Sequence, residues 1–139
     1  MTKEVLIIIS GMQFSMGDEP IELKTLGNYY LKNDKHYVIY EEMPEDNVPV
    51  TRNLVKFYDG YFEMTKKGGN NSYLLFERGK KTSTVYQTIA GPIQIDAVTH
   101  DMTMEETEDE LNVYIKYTLD INYRFVSDCE VTFKVRARE

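Results

Sequence analysis

Apolar and polar residues alternate with a period of two through most of the chain. The pattern is clearest where Leu111, Val113, Ile115, Tyr117, Leu119 and Ile121 interleave with Asn112, Tyr114, Lys116, Thr118, Asp120 and Asn122. Successive side chains of a β-strand point to opposite faces, so such a segment buries one face and wets the other, as antiparallel sheets do. The last strand repeats this, with Cys129, Val131, Phe133 and Val135 against Glu130, Thr132, Lys134 and Arg136. Leu111, Val113, Ile115, Leu119, Val131, Phe133 and Val135 are therefore expected in the core. Val5 to Ile9 is apolar on both faces and is expected inside a sheet rather than at its edge.

Turn chemistry divides the rest of the chain. Asp59-Gly60 between Leu54–Tyr58 and Tyr61–Met64 is the strongest hairpin signal, and a two-residue turn of the mirror-image kind requires positive φ at both central positions. Gly17-Asp18-Glu19-Pro20, Asn33-Asp34, Met43–Pro49, Gly68-Gly69-Asn70-Asn71, Arg78-Gly79-Lys80-Lys81, Ala90-Gly91-Pro92 and Glu108-Asp109-Glu110 read as further reversals. Gly27, inside a long strand pattern, is a candidate bulge or bend. Thr103 with Glu106 imitates a helix capping box, but the alternation of Thr99, Asp101, Thr103 and Glu105 with Val98, His100, Met102 and Met104 favours a strand running into an acidic turn.

About ten short antiparallel segments with no helix to cover a face must dispose of their exposed strand edges, and closure does so. The expected fold is all-β: a single antiparallel barrel of about 8–10 strands over residues 1–139, with little or no helix, favoured over a sandwich by the run of consecutive hairpins.

The 139 residues carry a net charge of −7, which opposes binding to a phosphate backbone, so no nucleic-acid partner is expected. The charge is unevenly placed: Arg52–Lys81 holds seven basic residues against three acidic, and Asp96–Glu110 holds seven acids and no Lys or Arg. The lone Cys129 fits a reducing compartment, and no apolar run reaches signal-peptide or membrane-spanning length; a cytoplasmic location without membrane association is expected.

Chemical motifs are sparse. Asp96 and His100 are four apart on an expected strand and share a face, but a third ligand is missing and His36 falls in a turn, so no metal site is expected. Cys129 lies between Asp128 and Glu130, which disfavour a thiolate, and reads as a small core residue. No phosphate-binding loop, serine elbow or zinc motif occurs, and no catalytic residue or cofactor is assigned. The remaining constellation is tyrosine with arginine. Tyr29, Tyr40, Arg78, Tyr86 and Tyr117 are the candidate ligand-binding residues at a barrel mouth, because pockets combine apolar rings with a few directional polar groups. A small-molecule ligand and a homodimer are both left open.

The stretches Gly27-Asn28-Tyr29-Tyr30-Leu31-Lys32, Tyr37-Val38-Ile39-Tyr40-Glu41-Glu42, Phe76-Glu77-Arg78-Gly79, and Tyr86-Gln87-Thr88-Ile89-Ala90-Gly91 leading to Asp96-Ala97-Val98-Thr99 resemble the YwiB-like bacterial proteins. Ile89-Ala90 departs from that family's usual form, which carries Pro and an aromatic residue. The resemblance spans nearly the whole chain and implies a calycin-like (lipocalin-like) barrel of unknown function. Such barrels often hold one small ligand, so the expected role is a binding module, with a filled interaction barrel as the alternative and an enzyme third.

Overall fold

In a computed structural model the described residues are 2–12, 21–42, 49–68 and 71–138. They form ten strands: β1 (Thr2–Met12), β2 (Ile21–Lys32), β3 (Lys35–Glu42), β4 (Thr51–Tyr58), β5 (Tyr61–Gly68), β6 (Ser72–Glu77), β7 (Lys81–Thr88), β8 (Gly91–Glu106), β9 (Glu110–Ile121) and β10 (Arg124–Ala137). All paired neighbours are antiparallel in one sheet of order β6-β5-β4-β3-β2-β1-β10-β9-β8-β7, and there is no helix among the described residues. Every pair of consecutive strands shares a ladder except β6 and β7, the two ends of the order, while the first and last strands, β1 and β10, pair with each other in the middle of the sheet, which forms a nearly closed barrel. The acidic segment is a strand ending at Glu106 followed by a turn, as its alternation requires.

The expected core residues Leu111, Val113, Ile115, Leu119, Val131, Phe133 and Val135 are all buried. They meet Val5, Ile7 and Ile9 of β1, Val38 and Tyr40 of β3, Val55 and Phe57 of β4, Phe62 and Met64 of β5, and Leu74 and Phe76 of β6 in one continuous cluster. Its centre is aromatic: Phe133 meets Phe57 and Phe62 edge-on with ring centroids 5.6 and 5.1 Å apart, and Tyr117 lies 4.5 Å from Phe76. Edge-to-face rings bring the positive rim of one to the negative face of another. The middle of the barrel is thereby filled.

Three expectations need correction. Gly27 is no bulge: β1 and β2 stay in register through it, and the register shift lies instead at Ser10/Met12, where Gly11 has φ of 85°. Gly27 is needed for close approach, since a Cβ there would sit 2.5 Å from Ile7 Cδ1 and 2.6 Å from the Ile39 carbonyl. The Asp59-Gly60 hairpin forms, but only Gly60 takes positive φ; the turns with two such residues are Asn33-Asp34 and Asn122-Tyr123. Finally, β8 and β9 shift register between Thr99 and Asp101, so His100 is an extra residue. The bulge reverses the alternation: Ile95, Ala97 and Thr99 point inward before it, and Met102 and Met104 after it.

Candidate functional site

The barrel has two ends. The Asn33-Asp34, Asp59-Gly60, Arg78–Lys80 and Thr107–Asp109 turns lie at one, and the Ile89-Ala90 and Asn122-Tyr123 turns at the other. At the first end Tyr29 Oη lies 2.7 Å from His36 Nδ1, and the His36 ring stacks on Phe57 with centroids 5.1 Å apart. His36 is thus buried rather than in a surface turn. Burial pushes the imidazole below its ordinary value, against the pull of Glu106, while burial and Glu106 together raise the Tyr29 hydroxyl. A shallow pocket of about 70 Å³ sits there, rimmed by Lys3, Glu106, Glu108 and Glu110.

The strands carry polar groups inward at the second end. Extending the inward-facing positions of β3, β4 and β5 gives Tyr40 then Glu42, Val55 then Asn53, and Met64 then Lys66. Their side chains converge: Lys66 Nζ and Asn53 Nδ2 both donate to Glu42 Oε1, at 2.8 and 3.0 Å. Asn53 is fully buried, and its Oδ1 has no hydrogen-bond partner among the described residues. Tyr40 is buried beside them, and burial with the Glu42 carboxylate drives its hydroxyl far above its ordinary value.

This cluster adjoins the one incomplete wall. β6 and β7 are the two ends of the sheet order and share no ladder. Near the first end they are held by side chains and turns: Thr82 Oγ1 donates to the Leu75 carbonyl, and the Gly79 N–H donates to the Thr99 carbonyl at 2.9 Å. Farther along they part. A cavity of about 150 Å³ between them touches the core residues Leu74, Ile95 and Ala97. It shares Tyr73 and Thr84 with a groove of about 530 Å³ also lined by Thr65, Lys66, Lys67, Asn71, Ser72 and Val85. The groove therefore runs from the outside surface to a buried lysine, and its size is that of a small-molecule site.

Of the five candidate residues, Tyr29, Tyr40, Arg78 and Tyr117 are not brought together at one mouth. Tyr29 is at the first end, Tyr40 lies by the Glu42 cluster, and Tyr117 is in the filled centre. Tyr86 pairs with Ile93 in the β7–β8 ladder, and its side chain lies outside the described residues. Arg78 is a staple at the first end: its Nε and Nη2 donate to the Met102 carbonyl at 3.0 and 2.6 Å, and Nη2 also reaches Asp59 Oδ1 at 2.6 Å.

No three His, Cys, Asp or Glu side chains converge among the described residues. Asp96 takes a hydrogen bond from Gln94 and lies 3.6 Å from Lys81 Nζ. Burial pushes its carboxyl up, but hydrogen bonds from Ser83 and Gln94 together with Lys81 outweigh that and hold it below its ordinary value. His100 Nε2 instead meets Thr118 Oγ1 at 2.6 Å. Cys129 is buried beside Ser127 Oγ at 3.3 Å. No helix among the described residues is long and apolar enough to cross a membrane.

A family model described as a domain of unknown function, DUF1934, matches residues 7–133. The chain belongs to this family. It is similar to the uncharacterized beta-barrel protein YwiB of Bacillus subtilis (strain 168), with 25% identity over 103 residues, covering 74% of this chain and 71% of that protein. The crystal structure of the ywiB protein from Bacillus subtilis superposes with a TM-score of 0.77 at 20% identity, covering 99% of this chain and 94% of that one. This chain and that protein therefore share the barrel fold.

Glu42, Asn53 and Lys66 were not among the candidates that sequence reasoning selects. The signal was present: each continues the inward parity of an apolar strand past its last hydrophobic residue. What hides it is that convergence of three strand ends depends on register, which local patterning does not supply.

Proposed function

We propose that this protein is a small-molecule-binding barrel whose ligand is an organic anion with a flat or apolar body, seated in the groove between β6 and β7. The observation that carries this reading is the Lys66–Glu42–Asn53 cluster beside that groove, in which Lys66 and Asn53 are buried and Glu42 is half-buried. A buried ion pair is commonly no more stabilising than well-packed apolar residues of the same volume, so stability alone does not account for it. Ligand recognition does. Lys67 offers a cation beside Lys66, whose charge is shared with Glu42, Ser72 and Thr84 offer hydroxyls, and Val85, 62% exposed, with the Tyr73 ring offers an apolar wall. Of the residues first singled out, Tyr40 belongs to this site.

The test is thermal unfolding with benzoate, phenyl phosphate and inorganic phosphate as probes. A ligand that binds only the folded state raises the midpoint in proportion to the logarithm of its concentration. Phenyl phosphate and benzoate are expected to raise it more than inorganic phosphate, and Lys66→Met with Lys67→Met to abolish the shift. Equal shifts in wild type and double variant would remove the groove from consideration.

A further inference from the structure

The outer face of β3–β6 carries an order of residues that is self-complementary. Reading across the ladders, one row is Lys35, Tyr58, Tyr61 and Glu77; the next is Tyr37, Lys56, Glu63 and Leu75; the third is Ile39, Leu54, Thr65 and Tyr73. All are half-buried or exposed, with Leu54 at 39% and Tyr73 at 38%. We propose that this face is the interface of a symmetric dimer, with a second copy of the chain as its occupant and a two-fold axis parallel to the strands between β4 and β5.

Such an axis lays β3 over β6 of the second copy and β4 over its β5, at equal height along the strands. Lys56 then meets Glu63 of the second copy, and Lys35 meets its Glu77. Tyr37 covers Leu75, Ile39 covers Tyr73, and Tyr58 covers Tyr61 of the second copy. Each contact occurs twice, as an isologous interface requires. The one like-charge meeting, Arg52 with Lys67 of the second copy, falls on the outermost row, where water screens it.

Side-chain geometry already prepares the face. Tyr30 and Tyr37 stack with centroids 5.0 Å apart, Tyr58 and Tyr61 with centroids 4.6 Å apart, and Lys56 Nζ sits 5.9 Å from both the Tyr37 and Tyr61 rings. Stacked rings hold one another upright, so little rotamer freedom remains to be lost on association. Lys35 Nζ, 5.3 Å from the Tyr58 ring, and Lys56 lie over ring faces that the stacks leave open. Tyrosine enrichment with a balanced set of charges is the composition of a protein interface. Three strands of eight residues and one of six give a projected area of at most roughly 20 by 25 Å. That is about 500 Å², below the ~800 Å² per partner of a standard interface, so the expected dimer is a weak one. The net charge of −7 does not oppose the contact locally, because Lys35 and Lys56 balance Glu63 and Glu77 there.

Sedimentation velocity on the full chain tests this with Lys56→Glu, Glu63→Lys and their equimolar mixture. Wild type is expected to dimerise. Each variant alone brings like charges together twice and is expected to raise the dimer dissociation constant at least about tenfold with unchanged circular dichroism. In the mixture both pairs become attractive again, so a heterodimer is expected. That rescue separates a lost contact from a lost fold. A wild type that stays monomeric to about millimolar concentration, single variants that dimerise like wild type, or a mixture no better than its components would each overturn the proposal.

Discussion

Replacing Lys66 by Met tests whether the polar cluster is one electrostatic unit. Methionine keeps the length of the lysine stem and fills the same space, so the change removes charge and two-way attraction rather than packing. Breaking a fully buried ion pair costs about 3–5 kcal/mol, because the surviving charge is left desolvated. Here the Lys66 side chain is 10% exposed and that of Glu42 is 32% exposed. Water therefore reaches the orphaned carboxylate, and Asn53 still donates to it at 3.0 Å. Roughly 1–3 kcal/mol is the expected loss after that allowance. Glu42→Gln alone removes the carboxylate charge that Lys66 and Asn53 share and should cost a similar amount. In Lys66→Met with Glu42→Gln no charge is stranded, and the Gln carbonyl still accepts from Asn53, so the double variant should lose about 1–2 kcal/mol less than the sum of the two. Urea unfolding followed by tyrosine fluorescence and circular dichroism reads this directly, since the chain has 11 Tyr and no Trp. Single variants within 0.5 kcal/mol of wild type, or additive losses, would refute the reasoning.

Phe133→Ala empties the centre of the aromatic cluster and should destabilise by about 3–5 kcal/mol in the same assay; a loss under about 1 kcal/mol would mean that Phe133 does not pack there. Because His36 is held below its ordinary value in the folded barrel, the unfolded chain takes up a proton first as pH falls through about 6.5. Stability is therefore expected to fall between pH 7 and the folded-state value, and His36→Gln to flatten that fall; identical profiles would remove His36 as the cause. Arg78→Ala should free the Asp59-Gly60 and Arg78–Lys80 turns from β8, seen as faster amide exchange at Arg78 and Gly79 with the β9–β10 ladder unchanged.

The fold was legible because nearly every strand has one dry and one wet face. The Leu111–Ile121 and Cys129–Val135 alternations needed no tertiary information. Where the reading failed, a backbone irregularity intervened. The bulge at His100 moves Met102 and Met104 to the opposite face from the one that unbroken alternation gives them, and Gly27, spaced like a bulge, serves close packing against Ile7 and Ile39. The candidate site was harder to read. Tyrosines on apolar faces are as well suited to filling a core, as Tyr117 does, as to lining a mouth. An arginine near a turn is as well suited to capping a carbonyl, as Arg78 does. Glu42, Asn53 and Lys66 looked like ordinary strand-end polar residues until the register of three strands brought Asn53 and Lys66 within 3.0 Å of the Glu42 carboxylate.

Native mass spectrometry of the protein purified from its own host tests the central claim most directly, comparing wild type with Lys66→Met plus Lys67→Met. Wild type is expected to carry a non-covalent adduct of a small organic anion, released on denaturation and absent or strongly reduced in the double variant. Wild type that carries no adduct and acquires none in millimolar phenyl phosphate or benzoate, or an adduct carried equally by the double variant, would contradict it.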